Sequence, residues 1–325
     1  MMKGIFLTGM KSMRRLGIGA CKHAPYVMVT LLLLAASALA ADDAKDATKY
    51  GLRYKFRPGE TLRWSVFQQK WIQFTYGGAT KKTESADRST KCWRVIEVDP
   101  DGNVVFEQLY SDIHFRGTLP GQEEVRYNSK TDKKPPAGLE GIAKQIGVPL
   151  FRIKMDSRGR VIERKPLLPE PAAPEKPKIT ILLPKEPVAV GESWHEPDEI
   201  RIPLTNGTTK TIQVQRALTL VSVKTGVATI KVADQVLTPI HSPEIEGKLI
   251  GHYAHGTVRF DVDAGRILHQ QMDLDHQVVG SHGPESALHH VTRSTEQLVP
   301  EKPAETEPSA DTKAPSSNDK PPVAK

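Results

Sequence analysis

The sequence predicts a mainly β protein: two tandem, antiparallel curved sheets, half-barrel-like, with one short helix packed on the first. Three observations carry this. Apolar residues alternate with period two along most of the chain. β-Branched runs flank short turn signals, as hairpins require. And three short segments recur in the same order in two halves, 48–165 and 180–299.

The first half opens with Phe56-Arg57-Pro58-Gly59-Glu60-Thr61, the second with Val188-Ala189-Val190-Gly191-Glu192-Ser193-Trp194. Each places Gly-Glu-(Thr/Ser) at the start of an extended segment. Glu60 and Glu192 are therefore expected to cap turns or form salt bridges. A hairpin follows in each half. Trp93–Val98 and Val104–Glu107 flank Asp99-Pro100-Asp101-Gly102-Asn103; Leu218–Val223 and Val227–Val232 flank Lys224-Thr225-Gly226. The third match joins Phe151–Ile162 to Val258–Leu268. Both are alternating strands that run into an Asp/Gly turn, where Gly159 and Gly265 supply positive φ. The first half holds extra residues, mostly in 120–147. There Leu139, Ile142, Ala143 and Ile146 recur at i, i+3, i+4 and i+7, after Pro135-Pro136 and before Gly147, which predicts a short helix. The second half has no equal segment unless a short turn forms near 243–250.

Composition marks the seams. Residues 166–187 hold prolines 166, 169, 171, 174, 177, 184 and 187 and read as an extended linker. Residues 300–325 are proline-rich and nearly free of apolar side chains, and read as a disordered tail.

The formal net charge is +7, but Lys3, Lys11, Arg14, Arg15 and Lys22 supply five of these charges before residue 41. The nearly neutral remainder lacks the footprint of a nucleic-acid binder. Basic residues, the apolar run Val27–Leu34 and then Ala38-Leu39-Ala40 predict a signal peptide over 1–40, cleaved near Ala40-Ala41. A start at Met1, Met10 or Met13 leaves it intact. The apolar run is shorter than the ~20 residues that span a bilayer. The expectation is a secreted or periplasmic protein with no transmembrane helix after cleavage.

Chemistry is sparse. There is no GxSxG elbow, GxGxxG loop, Walker loop, HExxH or CxxC spacing. No catalytic residue and no cofactor is predicted. Cys92, alone after cleavage, is expected to be buried beside Trp93. Eight of eleven histidines fall in 241–290. On a strand, His269 and Asp273 share a face that His289 could join from a neighbour, a zinc candidate set against the reading of a solvated polar face. Twelve of nineteen aromatics lie between Tyr50 and Phe115. Among these Trp64, Phe67, Trp71 and Phe74 are candidate cavity-lining residues, although Phe67 and Trp71 fall opposite the face of Leu62, Trp64 and Val66.

The segments Tyr54–Trp64, Val188–Trp194 and Phe260-Asp261-Val262-Asp263-Ala264-Gly265-Arg266 carry a resemblance. With F-x-P-G-E, V-x-V-G-E-x-W and F-D-x-x-x-G in this order, the chain resembles an uncharacterised family of secreted bacterial proteins, a domain of unknown function, over about 50–299. The resemblance implies export and a β-rich fold and transfers no catalytic residue. The expected function is an exported, non-enzymatic protein that binds an apolar ligand or an envelope partner. Two alternatives stand beside it: a metal-dependent hydrolase using the His/Asp-rich region 241–290, and a structural envelope protein.

Overall fold

Two glutamates open the two halves in the same way. Glu60 Oε1 accepts the Arg57 N–H at 2.8 Å, and Glu192 Oε2 accepts the Ala189 N–H at 2.9 Å. The backbone around them matches bond for bond. Gly59 N–H donates to Val95 O and Val95 N–H to Glu60 O; Gly191 N–H donates to Leu220 O and Leu220 N–H to Glu192 O. In each case the carboxylate satisfies a turn amide that no ladder could pair. These bonds come from a computed structural model, which describes residues 48–118, 123–169, 178–204 and 207–300. The expected signal peptide, the tail beyond Pro300 and the middle of the proline-rich linker lie outside the described residues.

The elements are β1 (Lys49–Tyr50), β2 (Thr61–Tyr76), β3 (Ala79–Val98), β4 (Val104–Thr118), β5 (Glu124–Asn128), α1 (Glu140–Ala143), β6 (Phe151–Met155), β7 (Val161–Pro166), β8 (Val188–Ala189), β9 (Ser193–Pro203), β10 (Thr209–Lys224), β11 (Val227–Val236), α2 (Pro243–Lys248), a 3₁₀ turn (Ile250–Tyr253), β12 (His255–Asp261), β13 (Arg266–Val279) and β14 (Ser286–Leu298). Twelve strands form one antiparallel sheet, in the order β7-β6-β4-β3-β2-β14-β13-β12-β11-β10-β9, with β5 on β4. The sheets of the two halves are continuous because β14 pairs β2, from Leu298 opposite Trp64 to Ser286 opposite Tyr76. The sheet does not close, and β7 and β9 are its edges. β1 and β8 form a separate two-stranded ladder.

Both predicted hairpins form. Asp99 accepts from the Asn103 backbone and side-chain amides, each at 2.8 Å. Lys224 pairs Val227, leaving Thr225-Gly226 as a two-residue turn with φ of 47° and 76°. Positive φ at both central positions matches the right-handed twist of the flanking strands.

One face of the sheet, here called inner, carries the main core: Trp64, Trp93, Phe106, Leu218, Ile230 and Phe260 are among its buried residues. Two non-strand segments complete it. Leu52 and Tyr54 come from one, Ile181 and Leu183 from the end of the proline-rich linker. Tyr54 N–H donates to Ser157 O at 2.7 Å and Lys55 N–H to Gly265 O at 3.0 Å. One short segment thus bonds to the Asp/Gly turns of both halves. A Cβ on Gly159 would lie 2.7 Å from Ile181 O, and one on Gly265 would lie 2.6 Å from Lys55 N. Glycine is needed there for close approach as well as for positive φ. The Tyr54 hydroxyl is buried and bonded to Thr180 Oγ1 at 2.6 Å, and burial raises its pKa.

The predicted helix in the first half is a single turn. Gly141 weakens its interior, and no side chain caps Leu139. The apolar periodicity therefore splits. Leu139 and Ala143 pack with Ile113, Phe115, Val125 and Tyr127 on β4 and β5. Ile142 and Ile146 face a cleft instead. In the second half, the segment near 243–250 is helical as α2. Its Ile245 and Leu249 pack on Ile200, Ile202, Ile212 and Val214 of β9 and β10. No helix among the described residues is long and apolar enough to cross a membrane.

Candidate functional site

The cleft lies on the inner face, between the α1 region and strands β2, β3, β4 and β14. Its volume is about 370 Å³. Ile113, Ile142, Ile146 and Leu150 form an apolar wall; Gln68, Asp87, Ser89 and Ser294 form a polar floor. Gly147 N–H donates to Tyr110 O at 2.7 Å and holds the overlying loop against β4. Tyr110 and Glu296 also line a second cavity of about 240 Å³, which Lys91, Lys178, Arg216 and Gln270 share.

Between the two cavities sits a buried ion pair. Lys91 Nζ bonds Glu296 Oε2, and the two side chains are only 8% and 17% exposed. The ammonium lies 5.2 Å from the Trp64 ring centroid and 5.6 Å from that of Trp93, so both faces of charge compensation are met, by a carboxylate and by π-electrons. The indoles are themselves fixed. Trp64 Nε1 donates to Ile267 O and Trp93 Nε1 to Gln108 Oε1, both at 3.1 Å. Burial, with Glu296 and Asp87 nearby, pushes the Tyr110 hydroxyl up to about 12. It stays neutral and can donate.

Asp87 is different. Among the described residues its carboxylate makes no hydrogen bond and no ion pair within 4 Å. Burial raises its pKa, and the charge on Lys70 only partly offsets this.

The matched bonds at Glu60 and Glu192 allow the two halves to be aligned along their ladders. Gln68 pairs Asp87 in the first half at the place where Ile200 pairs Ile212 in the second. Ile200 and Ile212 are buried under α2. The same count places Lys91 where the second half has Arg216, which makes a two-bond pair with Asp234 at 2.7 and 2.9 Å. The buried cation is common to both halves; the polar floor is not.

The four aromatic candidates do not line one cavity. Trp64 is in the core. Phe67 and Trp71 point to the outer face, where Phe67 meets the Arg88 guanidinium and Trp71 the His289 ring. Phe74 is on the inner face but near the far end of β2, against His282. Alternation forces this split, since odd and even positions of a strand cannot share a cavity.

The metal candidates do not converge either. His269, Asp273 and His289 share the outer face, but the ladder sets Asp273 opposite Arg293 and His289 opposite Gln277. Asp273 accepts from Arg293 Nε at 2.6 Å and Gln271 Nε2 at 2.7 Å, while His289 Nε2 bonds Asp275 at 2.7 Å. Among the described residues no three metal-ligating side chains come together. Cys92 is buried beside the core.

Sequence reasoning missed Asp87, Tyr110, Lys91 and Glu296. A signal for the floor existed. The face that begins Leu62, Trp64, Val66 continues as Gln68 and Lys70, so an apolar stripe turns polar without leaving the buried side.

No family model and no curated protein matches the chain. Among solved structures it is similar to the translocator domain of autotransporter NalP from Neisseria meningitidis, at 7% identity over 82% of this chain and 95% of that one, with a TM-score of 0.25. A putative outer membrane lipoprotein-sorting protein domain from Vibrio parahaemolyticus matches at 8% identity over 70% and 83%, with a TM-score of 0.15. A DUF1329 family protein from Desulfovibrio piger ATCC 29098 matches at 10% identity over the same shares, with a TM-score of 0.14. At these TM-scores the three carry no inference about this chain.

Proposed function

We propose that the protein is an exported, non-enzymatic binding protein that holds an apolar ligand in the cleft beneath the α1 region. The cleft itself carries this reading. Its volume of about 370 Å³ falls in the range of small-molecule pockets, and it combines an apolar wall with a few convergent polar groups. Export rests on the leader read in residues 1–40. Two of the residues the hydrolase alternative named are engaged elsewhere, Asp273 with Arg293 and His289 with Asp275, and do not support it.

An environment-sensitive apolar dye, N-phenyl-1-naphthylamine, tests the proposal. The mature chain should enhance its fluorescence in a saturable way. Ile146→Trp, which fills the cleft, should weaken binding at least about tenfold, the lower end of the range for lost apolar contact. Gln69→Trp, at an exposed position on the outer face, should leave it unchanged. Saturable binding that survives Ile146→Trp would place the ligand elsewhere, and no binding at all would remove the proposal.

A further inference from the structure

We infer that the ligand is an amphiphile with a cationic, ammonium-type end that pairs with Asp87; this rests on the cleft being the binding site. Among the described residues two carboxylates line the cleft, Asp87 and Glu296, and no lysine or arginine does. Glu296 is already neutralised by Lys91. Asp87 has no such partner among the described residues. Lys70 lies on the same face as Gln68 of β2, but among the described residues it forms no ion pair within 4 Å and it does not line the cleft.

A carboxylate in a partly dry wall is costly unless something pairs with it. The fold does not require one here, because the equivalent place in the second half is Ile212, fully buried. Asp87 is thus a charge that the β-ladder can do without, set at the floor of a cavity opposite an apolar wall. An ammonium head would satisfy it, with the alkyl body against Ile113, Ile142, Ile146 and Leu150. An anionic head would meet the uncompensated carboxylate of Asp87. A neutral alcohol would leave Asp87 charged and only weakly paired.

Displacement of the bound dye by three twelve-carbon amphiphiles, each kept below its micellar concentration or solubility limit, decides between these. Dodecylamine, protonated at neutral pH, should displace the dye at a concentration at least about tenfold lower than dodecanol or dodecanoate, since a charge-assisted bond outweighs a neutral one about twofold in energy. Asp87→Asn should erase that preference, whereas Gln69→Trp, on the outer face, should leave both the preference and the dye affinity as they are. Equal displacement by all three, a preference for dodecanoate, or a dodecylamine preference that survives Asp87→Asn would overturn the inference while leaving the apolar-ligand reading in place. Failure of the dye to bind would end both. The rank order in the unmutated chain is decisive by itself, so the test stands even where Asp87→Asn fails to fold.

Discussion

The two halves of the sheet start from the same turn and diverge over what covers them. In the second half, α2 lies on β9 and β10, and Ile245 and Leu249 seal Ile200, Ile202, Ile212 and Val214 beneath it. In the first half, the hairpin strand β5 extends the sheet beyond β4, and the helical turn follows it there, onto Phe115, Val125 and Tyr127. The matching part of β2 and β3 is not packed against that turn, and a cleft separates it from the α1 region. One architecture thus yields a packed core in one place and a cavity in the other. The difference lies in where a short helix docks, and the side chains below follow it: isoleucine where covered, Gln68 and Asp87 where open.

An exchange of the paired residues should break this comparison most visibly. Ile212→Asp places a carboxylate under α2 with no cation opposite it. It should destabilise by about 3–5 kcal/mol, the scale for an uncompensated buried charge. Asp87→Ile, at the equivalent place, should leave stability within about 0.5 kcal/mol or raise it. Urea unfolding of the two variants measures both. A similar loss in each would mean that Asp87 has a structural role and that the halves are not equivalent there.

The covering helices should differ next. Leu249 is fully buried, and Leu249→Ala should cost about 2–5 kcal/mol through lost burial and the cavity left behind. Ile142 is 41% exposed at the cleft, and Ile142→Ala should change stability by about 0.5 kcal/mol or less. Its effect should fall on dye affinity instead. Comparable stability losses would show that the cleft wall is part of the core.

The parts legible in the sequence were those set by neighbours along the chain. The Gly-Glu turns, the Asp99–Asn103 and Thr225-Gly226 hairpins and the Asp/Gly turns are local, and each formed as read. Alternation also placed His269, Asp273 and His289 on one face. What alternation lacks is cross-strand register, and register separated them, setting Arg293 against Asp273 and Asp275 against His289. The pairing of β14 with β2 joins residues more than 200 positions apart and leaves no local trace. The cleft depends on that pairing, because Ser294 and Glu296 come from β14. It depends also on the docking of α1, which the apolar periodicity over 139–146 did not specify: Leu139 and Ala143 went to the sheet, Ile142 and Ile146 to the cleft.

The smallest effect is a pH-dependent difference between the unmutated chain and Asp87→Asn. Burial holds the folded-state pKa of Asp87 above its ordinary value, with Lys70 opposing the shift and Glu296 and Tyr110 sharing the cleft wall. As pH falls from neutral through that raised value, the folded chain binds a proton before the unfolded chain does. Stability therefore rises across this window, and the gain is complete below the ordinary carboxylate range. Asp273 moves the other way. Its burial is outweighed by bonds from Arg293 and Gln271, which hold its pKa low, so its contribution is lost in acid. That loss is common to the unmutated chain and Asp87→Asn and cancels in their difference. The difference in unfolding midpoint should thus shift in favour of the unmutated chain between pH 7 and pH 4, with no counterpart for Ile212→Asn. Bound dodecylamine should reverse the trend, because the ammonium keeps Asp87 ionised and its affinity falls on acidification. A flat difference without ligand would mean that water already solvates Asp87, and that the floor of the first half is an exposed face rather than a partly dry wall.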